Sequence, residues 1–216
     1  MKNKIETMEV IDQIAKMYPQ ATSELKYRNL FELLIVVILS AQTTDKSVNK
    51  VSPSLFSSYP TPQSLAQAKL SDVEDKLKTI GLYKNKAKHI IACSQMLIDK
   101  YHGQVPNNKK DLLTLPGVGV KTANVVLSVG FDIPALAVDT HVARVSKRLG
   151  LVPENADVSE VESILKKKIP QDRWTKTHHQ LIFFGRYFCK AKNPNCKECP
   201  LFSKCDFGEK YLADLG

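Results

Sequence analysis

Apolar and polar residues alternate along this chain with the period of a helix, not of a strand. Over 4–18, Ile5, Met8, Ile11, Ile14 and Ala15 recur every three or four residues, the spacing that lines one face of a helix, and Pro19 ends the run. Phe31–Ala41 (FELLIVVILSA) is apolar nearly all round. It falls well short of the ~20 residues that cross a bilayer, so it is expected as a central core helix. Thr44 is expected to cap a helix running on from Asp45, and Ser71 a short acidic one over Ser71–Leu77. After a glycine turn at Thr79–Ala87 a helix extends to about Tyr101, and Asn107 is placed to cap a short helix over 108–113. Val120–Gly130 reads as a largely buried helix with Lys121, Asn124 and Ser128 as a narrow polar stripe. Asp139 is placed as the N-cap of a helix ending at Gly150. Asp157 and Glu160 form a capping-box pattern for a helix ending at Pro170, and a last helix covers about 171–187. Some ten helical segments and no alternating strand predict an all-α fold, built as two helical lobes.

One stretch departs from this plan. In Leu115-Pro116-Gly117-Val118-Gly119-Val120-Lys121-Thr122-Ala123-Asn124, the proline and the glycine pair break one helix and open the next. Such a turn aims backbone N–H groups outward, an arrangement suited to phosphate. Lys121 then falls in the first turn of an apolar helix, at the end whose dipole prefers anions. A lysine there either snorkels to solvent or breaks the rule for a functional reason. The dipole and an apolar, dry setting favour the uncharged amine that a nucleophile requires, so covalent chemistry on nucleic acid is the sharper reading. Thr79–Ala87 faintly repeats the pattern, with Gly81 matching Gly117 and a basic flank of Lys84, Lys86 and Lys88. Leu82 beside that turn is a core anchor or an exposed wedge, and Gln42 at the end of the apolar helix makes a helix-end hydrogen bond unless it has another use.

Charge strengthens the nucleic-acid reading. Of 216 residues, 31 are basic and 22 acidic, for a net charge of +9, which favours polyanionic partners. Arg144, Lys147 and Arg148 share one helical face, either solvated or contacting phosphate. Met1–Val10 (MKNKIETMEV) carries charges throughout and lacks the apolar core of a signal peptide, so an intracellular protein with no membrane partner is expected. In that setting the spacing C-x6-C-x2-C-x5-C of Cys189, Cys196, Cys199 and Cys205 points to metal binding, as tetrahedral zinc or a [4Fe–4S] cluster, rather than to disulfides. Cys93, alone on an apolar helix, reads as a small buried hydrophobe.

Taken together, Leu33–Gln42 (LLIVVILSAQ), Lys78–Tyr83 (KTIGLY), Leu115–Val126 (LPGVGVKTANVV), Val138–Val145 (VDTHVARV), Gly185–Tyr187 (GRY) and the four cysteines resemble the endonuclease III family, over nearly the whole chain. These are helix-hairpin-helix DNA glycosylases with an iron–sulfur cluster. The resemblance implies that Lys121 is the catalytic lysine, Asp139 the catalytic aspartate, and the four cysteines ligands of [4Fe–4S]. It implies that Gln42 fills the gap left by an extruded base, that Leu82 wedges into the opposite strand, and that the hairpin, with Leu115, Gly117, Val118 and Gly119, grips the phosphate backbone. Lys84, His141 and Arg144 are further candidate DNA contacts. Val120 stands where many relatives carry a basic residue, which removes one possible phosphate contact. The implied activity is a bifunctional glycosylase and abasic-site (AP) lyase acting on oxidised pyrimidines in double-stranded DNA. The expected protein is a cytoplasmic, nucleoid-associated monomer, with lobes spanning 22–134 and 1–21 plus 135–216. Two alternatives are set against it. Adenine-mismatch glycosylases share hairpin and cluster but generally lack the lysine and carry a further C-terminal domain, whereas eleven residues follow Cys205 here. A non-catalytic DNA-binding scaffold would have no need of Lys121 and Asp139 together.

Overall fold

The computed structural model describes residues 1–214, and of Asp206 only the backbone. Among the described residues the regular structure is helical, without a strand. The chain forms two compact units, Glu24–Ile133 and Met1–Ser23 with Pro134–Gly216. Helix α1 is Lys4–Met17, α2 Leu30–Leu39, α3 Asp45–Ser58, α4 Pro62–Ala66, α5 Leu70–Leu77, α6 Tyr83–Tyr101, α7 Lys109–Leu112 and α8 Val120–Val125. Then follow α9 at Thr140–Arg148, α10 at Val158–Lys168, α11 at Trp174–Phe183 and α12 at Asp206–Ala213. None of the described helices is long and apolar enough to cross a membrane.

The Glu24–Ile133 unit is built around α2. Nine of its ten residues are buried, as a segment apolar on every face requires. The exception in polarity, Glu32, is 2% exposed; its carboxylate accepts from the backbone N–H of Arg28 and, at 2.8 Å, from the Arg28 Nε. Helix α6 buries Ala87, Ile90, Cys93 and Leu97 along one stripe. Burial pushes the Cys93 thiol up to about 12, so it behaves as the inert hydrophobe its position implies.

Several helix starts shift from their expected places for local reasons. Ser71 does not cap α5, which begins at Leu70 after Lys69; the Ser71 hydroxyl pairs instead with the Asp72 carboxylate at 3.1 Å. For α7 the cap is Asn108, not Asn107, because the Asn108 side chain accepts from the Asp111 N–H at 2.9 Å. Helix α8 widens into a π turn over Val126–Gly130, where a Cβ on Gly130 would stand 2.7 and 2.8 Å from the Leu30 and Leu33 side chains of α2. That close approach buries the supposed polar stripe: Asn124 and Ser128 are each 2% exposed, and the Ser128 hydroxyl donates back to the Val125 carbonyl.

In the other unit, Val10, Ile11 and Ile14 of α1 join Val142, Val145, Leu149, Val161, Leu165, Leu181 and Phe184 in one core. The capping box at Asp157 and Glu160 starts α10 as expected, but the helix closes at Lys168, two residues before Pro170, because the residue preceding a proline is driven to extended backbone. The Lys168 ammonium donates to the carbonyls of Lys2 and Leu151, fastening the first residues of the chain to this core.

Candidate active site and cysteine loop

Between α7 and α8 the chain makes its hairpin turn. The Val118 N–H closes the turn on the Leu115 carbonyl at 3.1 Å, and Gly117 adopts φ +80°. Leu115 and Val118 are buried, so their side chains anchor the turn and only the backbone of Gly117–Gly119, with Val120 and Lys121, faces outward. A Cβ at Gly117 would lie 3.0 Å from both the His89 Cβ and the Ile38 Cγ2, whereas one at Gly119 would meet nothing within 4 Å. Gly117→Ala is therefore expected to cost about 2 kcal/mol or more, from left-handed strain plus crowding, while Gly119→Ala leaves stability almost unchanged. Thermal melts of the two variants check the contrast. Lys121 is exposed in the first turn of α8, and this corrects the expectation of a dry setting: the helix is apolar on its other faces, but the lysine stands on the one that water reaches.

Two further turns of the same unit present residues outward. Helix α2 is closed by Ser40, whose hydroxyl donates to the Val37 carbonyl; Gln42, beyond it, takes φ 53° and is exposed. Leu82 takes φ 58°, is 56% exposed and precedes α6. Leu82 is thus exposed and not a core anchor, while Ile80, two residues earlier, is buried. The turns adjoin: a Cβ on Gly81 would sit 4.0 Å from the Gln42 carbonyl oxygen. Lys84 is exposed as expected, but Lys86 is not part of a basic flank. It is 4% exposed, and its ammonium donates to the Thr43 hydroxyl at 2.5 Å. The signal was present in the spacing Lys86, Ile90, Cys93, Leu97, which puts this lysine in line with the buried stripe of α6.

In the unit completed by Pro134–Gly216, Asp139 caps α9 as expected. One carboxylate oxygen accepts from the His141 and Val142 N–H groups at 2.9 and 2.8 Å, and the other lies 3.3 Å from the His141 Nδ1. The buried His178 holds the preceding residues by donating from Nδ1 to the Ala137 carbonyl at 2.7 Å. Burial above all, with His178 and Lys176 adding, pulls His179 down to about 3, so that ring is neutral at ordinary pH. Arg144 is directed inward. Its guanidinium donates to the carbonyls of Gly185 and Cys189, and a side chain at Gly185 would press 3.3 Å from it.

Cys189, Cys196, Cys199 and Cys205 are all unpaired by disulfide and line one pocket, walled by Leu149, Phe184, Phe188, Phe202 and Phe207. Among the described residues no three of these groups stand preassembled as a ligating set. The donor set nevertheless suits a metal centre: four thiols face one apolar space, and Arg148 brings positive charge to its edge. The Arg148 guanidinium lies 3.5 Å from the Cys189 sulfur, donates to the carbonyls of Lys190 and Ala191, and stacks over Phe207 at 4.0 Å. Burial, followed by the neighbouring Cys189 and Cys205 sulfurs, raises the Cys196 thiol.

Helices joined by a glycine hairpin, with an exposed lysine beyond it, make this a helix-hairpin-helix protein. The family model for the "HhH-GPD superfamily base excision DNA repair protein" matches residues 35–171. Endonuclease III of Bacillus subtilis (strain 168) is 52% identical over 200 residues, covering 93% of this chain and 91% of the relative. That of Escherichia coli (strain K12) is 41% identical over 96% of this chain and 98% of its own length. Among solved structures, a trapped endonuclease III–DNA covalent intermediate with an estranged adenine matches with TM-score 0.96 and 52% identity, over 98% of this chain and 100% of the other. The chain belongs to the HhH-GPD superfamily of base excision DNA repair proteins and, within it, to the endonuclease III family. It is a DNA glycosylase with AP lyase activity.

Proposed function

We propose that this chain removes oxidised pyrimidines such as thymine glycol from double-stranded DNA through a Schiff base on Lys121, and then cleaves the strand 3′ to the abasic site. The carrying observation is the exposed Lys121 amine in the first turn of α8, directly after the left-handed Gly117 turn. A base that pairs poorly costs least to extrude, which exposes the sugar C1′. The Lys121 nitrogen attacks C1′ as the glycosidic bond breaks and its electron pair leaves with the base, which takes up a proton. The sugar ring then opens to the iminium, loss of a C2′ proton follows, and the C3′–O bond breaks with the 3′ phosphate as leaving group.

Asp139 supplies a carboxylate that offsets positive charge developing on the sugar and receives the amine's proton. One of its oxygens caps α9 and the other lies 3.3 Å from the His141 Nδ1, so the carboxylate is held in a fixed orientation for this work. The hairpin backbone from Leu115 to Gly119 grips phosphate, with Lys84 and His141 as further DNA contacts, while Gln42 and Leu82 enter the duplex where the base has left. Arg144 serves the cysteine loop more than phosphate, since its donors meet backbone carbonyls. The four cysteines hold a [4Fe–4S] cluster that cross-links the loop after α11 and takes no part in base removal. In this reading the lobe over 22–134 carries the hairpin, and 1–21 with 135–216 carries the cluster. The enzyme acts as a monomer in the cytoplasm, at the nucleoid. An adenine-mismatch glycosylase or a silent scaffold fits less well, because either leaves Lys121 without a use.

The test is borohydride trapping of the wild-type protein on two duplexes, one with thymine glycol and one with an abasic site. Covalent complexes are expected on both. Trapping on the abasic duplex alone would withdraw the oxidised-pyrimidine assignment, and trapping on neither would withdraw the Schiff base.

A further inference from the structure

Lys86 is the residue whose placement is hardest to explain by folding alone. It lies within the first turn and a half of α6, where the helix dipole disfavours a cation, and it occupies a buried position on an otherwise apolar stripe. Burial lowers its basicity, and its ammonium meets a single neutral oxygen, the Thr43 hydroxyl, among the described residues. One hydroxyl compensates a desolvated ammonium poorly, so methionine or leucine would pack this site at less cost.

The lysine joins two turns. At one end its backbone N–H donates to the Leu82 carbonyl at 3.0 Å; at the other its side chain reaches Thr43, adjacent to Gln42 and 43 residues away in sequence. Gln42 and Leu82 both hold left-handed backbone, which costs a non-glycine residue roughly 1 kcal/mol each and persists only when neighbours enforce it. We infer that Lys86 is a positioning residue: a buried strut between the Thr43 hydroxyl and the Leu82 turn that presets Gln42 and Leu82 as one rigid pair for entry into the DNA stack. The inference rests on the proposed insertion of those two residues. It adds that their register is fixed before DNA arrives, so that opening the duplex does not also have to order the turns.

The experiment compares Lys86→Met, Thr43→Val and Thr43→Ser with wild type. Each is assayed in single turnover for base removal from a thymine glycol duplex, and for strand cleavage at an abasic site in single-stranded DNA, where no stack has to be entered. Lys86→Met and Thr43→Val are expected to slow duplex base removal about tenfold or more and to leave single-strand cleavage unchanged. Their double variant should be no worse than either alone, and Thr43→Ser, which keeps the hydroxyl, should match wild type. Equal losses on both substrates would mark a general structural defect and overturn the strut, as would wild-type duplex rates in Thr43→Val and Lys86→Met. Gln42→Ala and Leu82→Ala run alongside: if they lose duplex activity while the strut variants do not, only the strut fails. If they too keep wild-type rates, the insertion reading itself falls and the strut with it.

Discussion

Lys121→Ala is expected to abolish borohydride trapping on both duplexes and to slow base removal by at least about 10³-fold, since the proposed iminium forms on this amine. The substitution isolates chemistry from folding unusually well. Lys121 is exposed at the start of α8, where a cation opposes the dipole, so its loss should change stability by no more than about 0.5 kcal/mol. Binding should persist, because the remaining basic residues supply sequence-independent affinity that weakens with salt. The measurements are single-turnover rates, trapping on gels and a thermal melt of the same preparation. A variant that still traps would move the nucleophile to another amine.

Asp139→Asn should produce the second largest loss, about 10²- to 10³-fold in base removal. The contrast with Asp139→Ala makes the result interpretable. Asparagine caps helices as well as aspartate does, and its amide oxygen can accept the same bonds from the His141 and Val142 N–H groups. Alanine forfeits them, at about 1 kcal/mol. The two variants should therefore differ in melting temperature and agree in their loss of base removal. If Asp139→Asn removes thymine glycol at the wild-type rate, the carboxylate is a cap and nothing more.

What could be read from the sequence was whatever a few neighbouring residues decide. The apolar period of α2, the cap at Thr44 and the capping box at Asp157 each depend on contacts within one helical turn, and they stand where expected. The caps that slipped, Ser71 and Asn107, did so because an adjacent group offered a competing bond or an identical side chain one position on. Larger departures came from partners far along the chain. Nothing near Lys86 announces Thr43, and nothing near Arg144 announces the carbonyls of Gly185 and Cys189, 41 and 45 residues on. The burial of Asn124 and Ser128 likewise follows from the packing of the Gly130 turn against α2. For the candidate site, residue types and order were legible, whereas the exposure of Lys121 and the left-handed backbone of Gln42 and Leu82 needed coordinates.

The interruption of one unit by the other has a consequence during synthesis. Residues Glu24–Ile133 form a continuous stretch that can fold as soon as it leaves the ribosome, but α1 finds its partners in helices that follow residue 133, α10 and α11 among them. Val10, Ile11 and Ile14 thus emerge first and wait longest. At ordinary translation rates their apolar face goes uncovered for roughly 7 to 30 seconds, the interval in which a nascent chain is open to chaperones and to misassociation with its neighbours on a polysome.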